Sequence, residues 1–358
     1  MDASRLIRER VLSMQPYRVQ ESNDAIALHR NESPVELPDA VRGEILDALR
    51  GLSWRRYPSV DQANLRSQAR DLLELDPSHD VLFGNGSNEL IAAILQAAVD
   101  PGEAVAIPQP TFSVYERLTR LFHGCPKPVP PTMDLRLDVA RLADDARASH
   151  ARVIFVCRPN NPTGECVALS DIEALAEFVE GLVVIDEAYV DFADDSAWEV
   201  AERHENVILL RTLSKALRCA GLRVGYAFGH VEVMGQIAKT LLPYNMSVCA
   251  SAAAVIVLKE RNSWLSALEE TKQERARVAS AITELEGSRI LPSSANFLCL
   301  LTPFAGDDLT SRLAEFGILV RNLSGYPGLS NAVRITIGAK EESDALIQAL
   351  RRIWKERP

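Results

Sequence analysis

Between about Asp80 and Leu242, short β-branched runs alternate with longer stretches of helical spacing. That alternation restricts the chain to an α/β architecture, a mostly parallel sheet covered by helices. The strand candidates are Val81 to Phe83, Ala104 to Pro108, Val153 to Cys157, Leu182 to Asp186, Val207 to Leu210 and Val224 to Phe228. Open parallel sheets bind ligands in the crevice at the carboxyl ends of their strands, and Asn161, Asp186 and Lys215 each lie at or just after the end of such a run. The Pro-rich run Pro126 to Pro131 resembles a linker, but the alternation resumes at Val153, so it is read as an ordered connection within the large domain.

From about Ser251 the pattern changes to a charged helical stretch through Glu286, followed by Asn296 to Leu300, Gly317 to Arg321, Val333 to Ile337 and a terminal helix after Glu341. This predicts a smaller α+β domain over 251–358, a large domain over 31–250 and an N-terminal arm over 1–30. A chain of 358 residues, 47% of them hydrophobic, can fill both cores. The 39 Lys and Arg stand against 49 Asp and Glu, a net charge of −10, which gives no support to a nucleic-acid surface. The six cysteines show no C-x-x-C spacing, so neither a zinc site nor a disulfide framework is expected. His204-Glu205 is not followed by a second histidine at helical spacing, and no metal is expected. No apolar run approaches the roughly 20 residues that span a bilayer, and no targeting segment is read at the N-terminus. The expected compartment is the cytoplasm.

Lys215 stands in Arg211-Thr212-Leu213-Ser214-Lys215, eight residues before Arg223 and downstream of Asn161-Pro162-Thr163-Gly164 and Asp186-Glu187-Ala188-Tyr189. A lone lysine is ordinarily a solvated surface charge. This ordered set instead reads as a pyridoxal-phosphate site, where a lysine amine forms a Schiff base with an aldehyde, an acid holds the ring nitrogen protonated, and donors fix the phenolic oxygen and the phosphate. Thr212, Ser214 and Arg223 suit a phosphate dianion. Asp186 suits the ring nitrogen, and Tyr189 and Asn161 the phenolic oxygen. Gly84 to Glu89 links a strand to an apolar helix, so its backbone N–H groups can face the phosphate; an ordinary glycine turn capped by Ser87 or Asn88 is an equal reading. Phe112 reads either as a core aromatic or as a stacking face for a flat ring. Leu182 to Glu187 also resembles the acidic strand end of a nucleotide hydrolase, but no G-x-x-x-x-G-K-[ST] accompanies it.

Over nearly its whole length the chain resembles the fold-type I pyridoxal-phosphate aminotransferases, and within them the histidinol-phosphate aminotransferases. The likeness rests on the motifs above and on Gln15-Pro16-Tyr17, Asn31-Glu32-Ser33-Pro34, Arg56-Tyr57-Pro58, Pro110-Thr111-Phe112, Ile318 to Asn322 and Val333 to Thr336. It implies that Lys215 carries the cofactor and then shuttles a proton. It implies that the Ser87 and Asn88 amides join the phosphate site, and that Tyr57 reaches that phosphate from a neighbouring subunit of a homodimer. Tyr17, Asn31, Arg321 and Arg334 would bind substrate, the two arginines taking a phosphate and the carboxylates of glutamate in an order left open; a surface salt bridge is the plainer reading of either. Three positions depart from the family pattern: Ser33 for asparagine, Phe112 for tyrosine, and Asn88 for aspartate.

The implied reaction interconverts L-histidinol phosphate and 2-oxoglutarate with imidazole-acetol phosphate and L-glutamate, a ping-pong transamination in histidine biosynthesis. The alternatives on the same scaffold are an aromatic aminotransferase and a threonine-phosphate decarboxylase. A non-enzymatic cofactor-binding regulator would need a DNA-reading module, and no basic helix-turn-helix precedes the large domain.

Overall fold

A computed structural model describes residues 5–16 and 25–356, apart from the side chains of 263–265. In chain order its strands are β1 (Ile26–Leu28), β2 (His79–Asn85), β3 (Ala104–Pro108), β4 (Cys125–Val129), β5 (Val153–Cys157), β6 (Leu182–Asp186), β7 (Val207–Thr212), β8 (Val224–His230), β9 (Arg289–Ile290), β10 (Phe297–Leu301), β11 (Ile318–Asn322) and β12 (Ala332–Thr336). The larger sheet has seven strands in the order β2-β8-β7-β6-β5-β3-β4. Only β8 runs against the others, pairing antiparallel with β2 on one side and β7 on the other. All six strands predicted from sequence form. The first extends to seven residues because β8 answers its backbone groups from His79 through Asn85.

The central strands are apolar along their length because helices cover both faces. Ile154, Val156, Val183, Ile185 and Leu209 face one helical layer. Phe155, Val184, Ile208 and Leu210 face the other, built in part by the helix Ser87–Ala98. The Pro-rich segment is not a mere connection: Cys125–Val129 pairs parallel with β3 as the edge strand. Pro126 and Pro128 lie two residues apart, so their missing N–H groups fall on the same side of the strand, the open one, where no ladder bond is lost.

The second sheet has the order β1-β11-β12-β10-β9. Its core joins Leu298, Leu300, Val320, Val333 and Ile335 to the helices Leu265–Thr283, Gly306–Glu315 and Lys340–Lys355. Residues 26–28, placed on the arm in the sequence analysis, pair parallel with β11. The helix Val248–Lys259 packs with Val41, Ile45 and Leu65 of the larger unit, although it begins at the boundary drawn near 250. The two units meet where Tyr189, Phe192 and Ala216 pack on Ala295 and Phe297. Among the described residues no helix is long and apolar enough to cross a membrane.

A buried ion cluster ties the strand ends together. The Glu187 carboxylate is fully buried and accepts from Arg211 at 2.8 Å, from Ser196 Oγ at 2.9 Å and from the Ala197 N–H at 2.6 Å. The guanidinium of Arg158, equally buried, lies 3.8 Å away and is also held by Asp195. Removing one member of such a cluster strands the opposite charge in a dry site. Glu187→Ala is therefore expected to destabilise the protein by about 3–5 kcal/mol, read as a fall in the guanidinium unfolding midpoint; an unchanged midpoint would contradict the role assigned to the cluster.

Candidate active site

The parallel strands deliver their following residues to one end of the larger sheet. Phe112 follows β3, Asn161 follows β5, Asp186 ends β6 with Tyr189 just beyond, and Thr212 ends β7 ahead of Ser214 and Lys215. Since β8 is reversed, its first turn brings Arg223 to the same end, beside Ser87 and Asn88 at the start of the helix after β2. All of these line one cavity, closed from the smaller sheet by Arg321, Tyr326 and Arg334 and from the N-terminal segment by His29, Arg30 and Asn31.

Among the described residues, Lys215 is the only lysine lining that cavity. Its Nζ donates to the Arg30 carbonyl at 3.0 Å. Burial pushes its pKa down to about 7, aided by the Arg334 and Arg223 charges and opposed by Glu32 and Asp186. At neutral pH a large share of the amine is thus uncharged, as a nucleophile or base requires.

One wall of the cavity is an anion cradle. Thr212 Oγ1 donates to Ser214 Oγ at 2.9 Å, and Arg223 Nη1 donates to the same hydroxyl at 3.4 Å. The backbone of β8 presses on the helix start so closely that a Cβ on Gly225 would lie 2.4 Å from Ser87 N. Arg223 fills the space above Gly86, where a Cβ would lie 2.5 Å from its Nη2. Gly86 has φ +76 and turns the chain into the helix. The first N–H groups of a helix have no intrahelical acceptor, so this turn offers them to an anion together with the hydroxyls and the guanidinium.

Opposite lies an acid. Asp186 is buried; its Oδ2 accepts from Tyr115 Oη at 2.7 Å and its Oδ1 from the Ala188 N–H at 3.1 Å. Burial raises its pKa against these two hydrogen bonds, so a cation brought next to it would be strongly favoured. Tyr115 stacks on Phe155 with centroids 4.4 Å apart and meets Phe112 edge-on at 5.5 Å. Phe112 is therefore at once packed and exposed to the cavity, and the two sequence readings of it are compatible.

The smaller sheet supplies paired cations. Arg321 and Arg334 are direct cross-strand partners on β11 and β12. Arg334 is the more deeply buried of the two; it donates to Asn161 Oδ1 at 2.5 Å and to the His29 carbonyl at 2.8 Å. That bond takes the Asn161 acceptor and leaves its Nδ2 as a donor. Asn31 borders the cavity, and its side chain is held by Tyr189 and Thr336. Tyr57 does not line the cavity: it is 80% exposed and stacks on Tyr244 at 4.6 Å. Tyr17 lies outside the described residues.

Sequence reasoning missed Tyr115, Thr336, Tyr326 and the carbonyl of Arg30. The Tyr115 signal was its place in the first turn of an amphipathic helix that begins two residues after Phe112. The others carried none, because they act through contacts between segments up to 305 residues apart.

The family described as aminotransferase class I and II matches residues 23–353. The chain is similar to the histidinol-phosphate aminotransferase of Chlorobaculum tepidum, 34% identical over 95% of this chain and 98% of that one. It is also similar to the histidinol-phosphate aminotransferase of Methylibium petroleiphilum, 36% identical over 98% of this chain and 95% of the other. The fold matches the crystal structure of histidinol-phosphate aminotransferase from Sinorhizobium meliloti in complex with pyridoxal-5'-phosphate, with a TM-score of 0.88, 23% identity and 98% of both chains covered. The chain belongs to the class I and II aminotransferases.

Proposed function

We propose that this chain is a pyridoxal-phosphate-dependent aminotransferase that interconverts L-histidinol phosphate and 2-oxoglutarate with imidazole-acetol phosphate and L-glutamate. One observation carries the reading: a buried lysine with a depressed pKa faces, within one cavity, an anion cradle, a buried carboxylate and a pair of arginines. The donor set fits the cofactor at every face. Ser87, Asn88, Thr212, Ser214 and Arg223 suit its phosphate, Asp186 its ring nitrogen, Tyr189 and the Asn161 Nδ2 its phenolic oxygen, Phe112 its flat face and Lys215 its aldehyde. Bound there, pyridoxal phosphate supplies a carbonyl for the substrate amine and an electron-poor ring that stabilises charge at the adjoining carbon.

The residues of the chain do the rest. Asp186, oriented by Tyr115 and the Ala188 N–H, would hold a proton on the ring nitrogen. Lys215, uncharged near neutral pH, would serve as the base that takes the proton from the substrate carbon bearing nitrogen and as the acid that gives it back. Arg321 and Arg334, side by side across the strands, suit the phosphate of one substrate and a carboxylate of the other. The deeper Arg334, tied to Asn161, suits the anionic group nearest the reacting carbon, and Arg321 the more distant one. Tyr57, exposed and stacked on Tyr244, fits a face covered by a second copy, so a homodimer that shares its sites belongs to the proposal.

The test is a half-reaction: holoenzyme is mixed separately with L-histidinol phosphate, L-glutamate, L-phenylalanine and O-phospho-L-threonine while the visible absorbance of the cofactor is followed. Loss of that absorbance with the first two supports the proposal. A preference for phenylalanine, or carbon dioxide released from phosphothreonine, moves the activity to another reaction on the same site. Arg321→Ala is expected to lower kcat/KM for histidinol phosphate by about 10- to 100-fold, the worth of a charge-assisted hydrogen bond, with a smaller effect on phenylalanine; equal losses count against the phosphate role. Since the folded pKa of Lys215 is depressed, its reactive neutral form dominates above about pH 7. The rate at which cofactor-free protein captures pyridoxal phosphate should rise with pH through that value rather than near the ordinary lysine range, and Lys215→Ala should remove both the capture and the turnover.

A further inference from the structure

Tyr189, Asn31 and Thr336 form a hydrogen-bonded chain from the larger unit, through the N-terminal segment, to the smaller sheet. Thr336 Oγ1 accepts the Asn31 N–H at 3.0 Å and donates its own proton to Asn31 Oδ1 at 3.0 Å. Asn31 Nδ2 then donates to the Tyr189 hydroxyl oxygen at 2.9 Å. The directions follow from proton counting. A threonine hydroxyl has one proton, and with the amide reversed that proton would face an N–H group in a buried site, without an acceptor. The Asn31 backbone is held as well: it sits in the left-handed region at φ 55, which asparagine tolerates, and its carbonyl accepts from Asn296 Nδ2 at 3.2 Å.

We propose that Thr336 is a positioning residue which, by fixing the Asn31 amide, sets the direction of the Tyr189 hydroxyl proton. Having accepted from Asn31, the phenol directs its own proton elsewhere, and the cavity it lines is the open side. Burial raises the Tyr189 pKa, which keeps that proton in place across the neutral range. Tyr189 is thereby a committed donor at the spot assigned to the phenolic oxygen of the cofactor. This inference rests on the cofactor reading above, and it adds a residue of the smaller sheet to the larger unit's binding chemistry.

The experiment is a double-mutant cycle on affinity, independent of turnover: cofactor-free protein is titrated with pyridoxal phosphate and followed by visible absorbance and protein fluorescence. Thr336→Val, which keeps the shape and removes the hydroxyl, should weaken binding about 3- to 10-fold, the worth of one hydrogen bond. Thr336→Ser should restore wild-type affinity. Combined with Tyr189→Phe, Thr336→Val should add less than about a twofold loss, because the group it orients is gone. Asn31→Gly, which keeps the left-handed backbone, should be equally silent in the Tyr189→Phe background and serves if the valine variant does not fold. Multiplicative losses in the double variants, or no loss in Thr336→Val, would overturn the positioning role while leaving the cofactor site standing. A wild-type protein that takes up no pyridoxal phosphate would overturn both.

Discussion

The positions of Asn161, Asp186, Tyr189, Thr212, Ser214 and Lys215 in the cavity depend on where three neighbouring strands stop, and a buried carboxylate holds them there. Successive side chains on a strand face opposite ways. Asp186 at the end of β6 therefore turns toward the cavity, while Glu187 turns behind the sheet into the guanidinium groups of Arg158, just past β5, and Arg211, on β7. The same three strand ends lead into Asn161, Asp186 and Lys215. Adjacent residues thus divide the labour, one setting geometry in a dry interior and the next presenting charge to a ligand.

The second constraint is the His29 to Asn31 segment, which leaves the smaller sheet at β1 and runs between the two units. Its carbonyls accept from Arg334 and from Lys215, and its asparagine links Tyr189 to Thr336. Main-chain atoms of a segment far upstream of the lysine thereby hold both the Lys215 amine and the Arg334 guanidinium. The site is a seam between two sheets, and three consecutive residues just past β1 tie its two sides together.

Much of this was legible in the sequence because the chemistry is local there. The strands β5, β6 and β7 begin as apolar runs, and Asn161, Asp186, Tyr189, Thr212, Ser214 and Lys215 end or follow such runs within a few residues, so a parallel sheet alone brings them together; Arg223 joins them through the reversed β8. The edge strand β4 escaped because its prolines read as a breaker, and only an unpaired edge makes them acceptable. The type and motif of Asn31 were visible in the sequence, and its partners Tyr189 and Thr336 were not. Thr336 looked like an ordinary β-branched residue, since nothing in a linear pattern announces a hydroxyl that bonds a residue 305 positions away.

The reversal of β8 has a consequence for how the chain reaches its final form. The anion cradle joins residues 86–88 to residues 223–225, and β1 finds its partner only when residues 318–320 exist. During ribosomal synthesis the edges of β2 and β7 stay open until β8 emerges to fill the gap between them, and the first strand made waits for almost the last. Contacts so distant in sequence close slowly. A nascent chain halted before residue 225 consequently leaves β2 without a strand partner and one edge of β7 bare, with residues 86–88 still apart from residues 223–225.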